Sequence, residues 1–294
     1  MFVCYDKIQQ LSVAEYEALL TTLFFERLNR KHHDIIEILN KRGSEWTETF
    51  YTMFLRVLGG MDNRRAMLEL SERVSCRIVM RENGSLTTLE SLLLGTAGLL
   101  DIYPSDDYID RLRLEFEHLR MKYSIMPMLA GDWNLNCYYQ ANHPTLRIAQ
   151  MAACLHNRDF SIQNALMCRN RKDVYDFFCG NASEYWVNNF LPHSDVTHTN
   201  CRIGHLKSDL LGINLIAPIM YSYGNYINSE DIVYRSIALL ESIDAEYNRY
   251  TKPWYHEGIE PRNAFVSQAL IQLSKEYCEP KRCNACPLAQ LNDK

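Results

Sequence analysis

Apolar residues recur at three- and four-residue steps along nearly the whole chain, and this period predicts helices. Leu11 to Leu39 places Leu19, Leu23, Phe24, Leu28, Ile35 and Leu39 on one stripe, and Ser12 with Glu15 three residues on forms a capping box. Gly43-Ser44 breaks that pattern, and Ser44 is expected to cap a second helix through Trp46, Phe50, Phe54 and Leu58, which Gly59-Gly60 ends. Further helices are read at Asn63–Val74, at Ser85–Leu100 and at Tyr108–Tyr123, with Gly95 and Gly98 permitting close packing. The Asp106-Asp107 pair at the start of the third of these favours the helix dipole.

Pro127 to Asn142 reads as an irregular connection, after which His143-Pro144-Thr145 opens a helix burying Ile148, Met151, Ala152 and Leu155. It separates an N-terminal helical subdomain, residues 1–126, from a C-terminal one, residues 127–294; one continuous domain is the alternative. Shorter helical pieces are expected at Ser161–Arg169, at Val174–Phe178 and from Ser183. Lys207 to Tyr223 is the most hydrophobic helix, and Pro218 inside it predicts a kink or break near Asn214. Ser229 and Glu230 start another long helix. Cys76–Met80 is the single strand candidate. The fold class expected is all-α: an irregular multi-helix bundle with a C-terminal cysteine-containing turn.

The tail changes the picture from architecture to chemistry. Phe265, Val266, Ala269, Leu270 and Leu273 form one apolar stripe, with Gln268, Gln272 and Lys275 off it. Pro261 suits the first turn of that helix and Pro280 limits its extension. Cys278, Cys283 and Cys286 follow with the spacing C-x4-C-x2-C. A C-x2-C turn lets two thiolates grip one ion, and Lys281 and Arg282 beside it favour the thiolate form. The expected cofactor is Zn2+ or an iron–sulfur cluster, against the plainer reading of free thiols or a redox pair at Cys283 and Cys286. Three ligands are one short of a closed tetrahedral site, and Cys201, His205 and His256 are the candidate fourth donors. Cys201 and His205 lie with His193 and His198 in or beside the polar loop from Pro192, where a metal of its own is the weaker reading.

Composition narrows the class. A chain of 294 residues with 47% hydrophobic and 23% charged residues is that of a soluble globular protein. Only 12 Gly and 9 Pro leave little room for the turns of a sandwich or barrel. The formal net charge of −5 argues against a strongly electrostatic nucleic-acid binder. Ten cysteines, mostly scattered singly, read as reduced residues of a cytoplasmic protein. The start shows no signal peptide, and no window is apolar and long enough to span a bilayer. Motifs for phosphate loops, dinucleotide folds, zinc proteases and serine hydrolases are absent. At Asn142 and Arg147, near a helix start, local hydrogen bonding is one reading and an anion site the other.

The stretches ESLLLGTAGLL (Glu90–Leu100), NHPTLRIAQMAA (Asn142–Ala153), ASEYW (Ala182–Trp186), GINLIAPIMYSYG (Gly212–Gly224) and SQALIQLSKEYC…RCNAC together resemble an uncharacterised bacterial family, domain-of-unknown-function family 2851. They cover most of the chain in the family's order, and the resemblance implies no established activity. The tail alone, ALIQLSKEYC running on to a C-P-L, is similar to the cysteine loop of helix-hairpin-helix DNA glycosylases. That likeness implies an iron–sulfur cluster held by four cysteines. Here Asn292 stands about where the fourth would fall, and neither the glycine-rich hairpin nor the catalytic aspartate of that class is recognisable. The expectation is a helical scaffold or interaction module with a structural metal site and a protein partner. A nucleic-acid-processing protein, or its accessory domain, is the alternative.

Overall fold

The computed structural model describes residues 4–102, 104, 106–137, 142–192 and 201–291. The described residues form helices and no named strand; one isolated antiparallel bridge pairs Asn181 with Arg202. No helix among them is long and apolar enough to cross a membrane.

By internal contacts the chain divides into two compact units. One combines Met1–Glu37, Arg169–Arg171 and Ile216–Lys294; the other combines Ile38–Cys168 and Lys172–Leu215. The first opens with α1 (Tyr5–Gln9) and with α2 (Val13–Lys41), whose last residues belong to the second unit. At the start of α2 the Ser12 N–H donates to the Glu15 carboxylate at 2.9 Å while Glu15 N–H donates back to Ser12 Oγ at 3.3 Å. This is the reciprocal cap that the spacing predicted.

The second unit continues with α3 (Trp46–Leu58), α4 (Arg64–Arg73) and α5 (Cys76–Arg81). Ser44 does not cap α3. It sits in the left-handed region at φ 63°, and its N–H closes α2 by donating to Leu39 O at 2.9 Å, while Glu45 takes the cap position. The strand expected at Cys76–Met80 is α5 instead. Its β-branched pair Ile78-Val79 is outweighed by two N-terminal caps: Ser75 Oγ accepts from Ile78 N–H, and the Glu48 carboxylate accepts from Cys76 and Arg77 N–H at 3.0 and 3.1 Å.

Next come α6 (Leu86–Thr96) and α7 (Asp107–Tyr123), and Asp106 caps α7 by accepting from Tyr108 and Ile109 N–H. Helix α6 packs on α7 and on α8 (Pro144–His156). Gly95 allows the first contact, since a Cβ there would fall 2.1 Å from the Phe116 ring. Gly98 turns the chain at φ +68°, with the Met128 carbonyl where a Cβ would be. The described part of the connection that follows, up to Cys137, holds one 3-10 turn at Ala130–Asp132, with Trp133 buried and its indole N–H donating to Ala97 O at 2.8 Å.

After α9 (Ile162–Ala165), α10 (Arg171–Phe177) and α11 (Tyr185–Asn188), the long hydrophobic segment runs as α12 (His205–Leu211), a π-helical stretch Gly212–Ile216 and α13 (Ala217–Tyr226). Pro218 cannot donate to the preceding turn, and the wider π ring at Asn214 is how the chain accommodates it. Leu211, Ile213, Leu215 and Ile216 are all buried, as the period predicted.

In the first unit α13 packs on α14 (Glu230–Ser242), and α14 on α16 (Ala264–Gln272), with α15 (Lys252–His256) between them in sequence. Asn263 caps α16, its Oδ1 accepting from Val266 N–H at 3.1 Å, so Pro261 lies ahead of the helix rather than in its first turn. The helix widens into a π segment at Leu273–Cys278, and a 3-10 turn at Cys283–Ala285 leads into α17 (Pro287–Gln290).

Candidate functional site

The cysteine turn is built on the end of α16. The Arg282 N–H returns to Tyr277 O at 2.8 Å and the Lys281 N–H to Cys278 O at 3.1 Å. Lys281 takes φ 57°, a left-handed conformation costly for a side chain with a Cβ. This reversal carries Cys283 and Cys286 back toward the helix end. Cys286 is buried, Cys278 half-buried and Cys283 exposed. All ten cysteines are free thiols.

A fourth thiol stands in the same neighbourhood, and the spacing of the tail gave no hint of it: Cys4, the residue before α1. Helix α1 is seated on the tail's own support. The Tyr5 ring meets Trp254 edge-on with centroids 4.8 Å apart, and the Trp254 indole N–H donates to Ser274 Oγ at 2.7 Å, one turn before Cys278. Gln9 Nε2 adds a bond to Glu257 O at 3.3 Å. Burial pushes the Cys278 thiol up to about 12, and the thiols of Cys286, Cys4 and Cys283 press it in the same direction. Cys4 is likewise raised, first by burial and then by Cys286 and Cys283, with Lys7 opposing. Lys281 and Arg282 were expected to favour the thiolate, but at Cys278 burial prevails.

The four thiols therefore share one electrostatic neighbourhood. Among the described residues, no three His, Cys, Asp or Glu side chains stand close enough to hold a metal ion. Cys201 and His205 belong to the second unit, His205 stacked on Tyr175 at 3.7 Å, and His256 is exposed at the end of α15. His193 and His198 lie outside the described residues.

Beneath the tail lies a buried polar network that periodicity concealed. Gln268 and Gln272, expected off the apolar stripe, are both buried. Gln268 Oε1 accepts from Arg27 Nε at 2.6 Å and Lys31 Nζ at 2.9 Å, and its Nε2 donates to Glu246 at 2.8 Å. Gln272 accepts from Arg30 and donates to Glu26 at 3.0 Å, and Glu26 also accepts from Tyr277 at 2.7 Å, the residue beside Cys278. Burial drives the Arg27 guanidinium down to about 10 and Lys31 well below its ordinary value, with Glu246 opposing both. Arg30 pairs with Glu276. Cations and carboxylates are both present here, so the network is close to neutral.

In the second unit, Glu90 is fully buried, and its carboxylate accepts from Tyr108 O–H, from Ser183 Oγ at 2.7 Å and from Ser183 N–H at 3.1 Å. Burial raises its pKa against those donors. Tyr108 stacks on Tyr185, whose hydroxyl donates to Asp106 at 2.7 Å. The node joins α6, α7 and the segment before α11. The third polar centre is Arg147, 7% exposed, whose two Nη atoms donate to Asn142 Oδ1 at 3.0 Å and Gln150 Oε1 at 2.7 Å. This is the local bonding that a helix-start arginine was expected to make, though both acceptors are neutral amides.

Glu90 and Ser183 come from two of the quoted stretches and Arg147 from a third, and a model of that family matches residues 1–249. The chain belongs to the family described as protein of unknown function, DUF2851. The match includes Cys4 and ends before Cys278, Cys283 and Cys286. No curated protein and no solved structure matches the chain.

Proposed function

We propose that this DUF2851 protein is a helical scaffold or interaction module whose C-terminal tail is fastened by a thiolate metal centre, with Cys4 joining Cys278, Cys283 and Cys286 as the fourth ligand. The observation that carries the reading is the seating of α1 on Trp254 and of Trp254 on Ser274, which draws Cys4 toward the cysteine turn. Four sulfurs and no oxygen donor suit Zn2+ or an iron–sulfur cluster by ligand softness. For zinc, the sulfurs must close to roughly 3.8 Å from one another, as follows from tetrahedral bonds of about 2.3 Å. Each thiol gives up its proton on binding, and the binding free energy becomes folding energy of the tail. The role is a staple, which locks the two ends of the first unit together.

The test compares Cys4→Ser, Cys283→Ser and Cys137→Ser for bound metal per chain. The account expects the first two to lose the metal and the third to keep it. Metal retained in full by Cys4→Ser would remove Cys4 from the ligand set. The negative net charge, −5, keeps the nucleic-acid reading behind this one.

A further inference from the structure

In the second unit Arg147 is buried and Lys207 half-buried, and neither is bonded to a counter-charge among the described residues. Arg147 spends both Nη atoms on neutral amides, and its Nε has no hydrogen-bond partner among the described residues. Among the described residues Lys207, in α12, reaches only the Leu58 carbonyl, at 3.4 Å. The two feel each other's charge: burial pushes the Lys207 amine down to about 8, and the nearby Arg147 pushes it the same way. Asp62 opposes, but it is solvent-exposed and forms no ion pair with Lys207 among the described residues. The network around Gln268 handles its cations differently, by placing Glu26, Glu246 and Glu276 among them. A buried cation with no anion is among the most destabilising arrangements a fold can hold. The mismatch is met most simply by an anion from outside the chain.

We propose that Arg147 and Lys207, with the amides of Asn142 and Gln150 holding the guanidinium in place, form a binding site for a phosphate group. Charge decides between oxyanions. A carboxylate offsets one of the two cations, whereas a phosphate monoester carries about −1.5 to −2 near neutral pH and offsets both. Donor chemistry agrees: the free Arg147 Nε–H and the Lys207 ammonium supply charge-assisted hydrogen bonds, which are the strong class for phosphate oxygens. Gln150 also donates its Nε2 to Arg202 O at 3.1 Å, so its Oε1 is held facing Arg147. These residues belong to the second unit, and the ligands of the proposed metal centre to the first.

The experiment is a thermal-unfolding titration of the full chain with inorganic phosphate, against sodium acetate and sodium chloride at matched ionic strength. Wild type should gain roughly 5–10 °C in Tm at phosphate concentrations about a hundredfold above the dissociation constant, and acetate should track chloride. Arg147→Gln should lose the response. Because that variant could fail to fold, Lys207→Met is the second arm. It removes a charge and keeps an unbranched apolar stem, so it should melt above wild type without phosphate and show no phosphate gain. Bound metal should be unchanged in Lys207→Met, which separates this site from the cysteine centre. A phosphate response equal to that of chloride, or a Lys207→Met variant that responds like wild type, would overturn the proposal. A response to acetate as large as that to phosphate would overturn the choice of phosphate.

Discussion

Replacing Gln268 with leucine should destabilise the protein more than any surface change, and the size of the loss follows from its three bonds. Its Oε1 accepts hydrogen bonds from Arg27 and Lys31, and its Nε2 donates one to Glu246, all at 2.6–2.9 Å and part-buried. Hydrogen bonds to charged groups contribute about 1.5–3 kcal/mol each, so three independent bonds would total about 4.5–9 kcal/mol, a large share of the about 5–15 kcal/mol by which a protein is folded. Glu246 stays within electrostatic reach of both cations after the substitution, so the loss should be partial. Stranding a buried charge sets the scale at about 3–5 kcal/mol. Spread over a chain of this size, that is a fall in Tm of roughly 6–20 °C in a thermal melt followed by circular dichroism. Urea unfolding should show the same ranking, with separate transitions if the two units unfold independently. A drop smaller than about 2 °C would refute the reasoning, since it would mean that water already serves these cations.

Three further outcomes follow. Gly95→Ala places a methyl 2.1 Å from the Phe116 ring and should cost about 1–3 kcal/mol by overpacking, with Phe116→Leu in the same chain restoring part of it. Leu211→Asp should leave no folded protein in a solubility and circular-dichroism assay, because the site is fully buried and taking a carboxylate out of water there is costly. Burial holds the His143 imidazole down at about 4, below its ordinary 6.5. A depressed folded value gives stability that is present above pH 6.5 and lost as pH falls toward 4. The difference of roughly 2.5 units makes that loss about 3 kcal/mol, and His143→Asn, which keeps a capping side chain, should flatten this part of the profile.

Much of the helix order was legible because it follows from local chemistry. Ser12 with Glu15, Asp106 and His143 each cap a helix within a few residues of themselves, and Pro218 announces its own π-helical break. Cys76–Met80 reads as a strand because two β-branched residues speak for one, while the Glu48 carboxylate that caps the helix found there stands 28 positions away. Gln268 and Gln272 were placed outside for a related reason. Periodicity sorts residues by polarity, and a buried polar side chain that bonds Arg27, Arg30 and Lys31 counts as outward on that rule. The cysteine turn was plain from its spacing, but Cys4 was not. A single cysteine some 270 residues upstream carries no signal until α1 is laid against Trp254.

The central claim is that four cysteines hold one metal centre, and the most direct measurement is the metal content and visible absorption of protein purified without oxygen. The account predicts a stoichiometric metal lost on Cys4→Ser. Zinc would give a colourless protein, whereas an iron–sulfur cluster would give a brown one that bleaches in air. Protein with no stoichiometric metal, in which Cys4, Cys278, Cys283 and Cys286 all react freely with an alkylating agent, would contradict it.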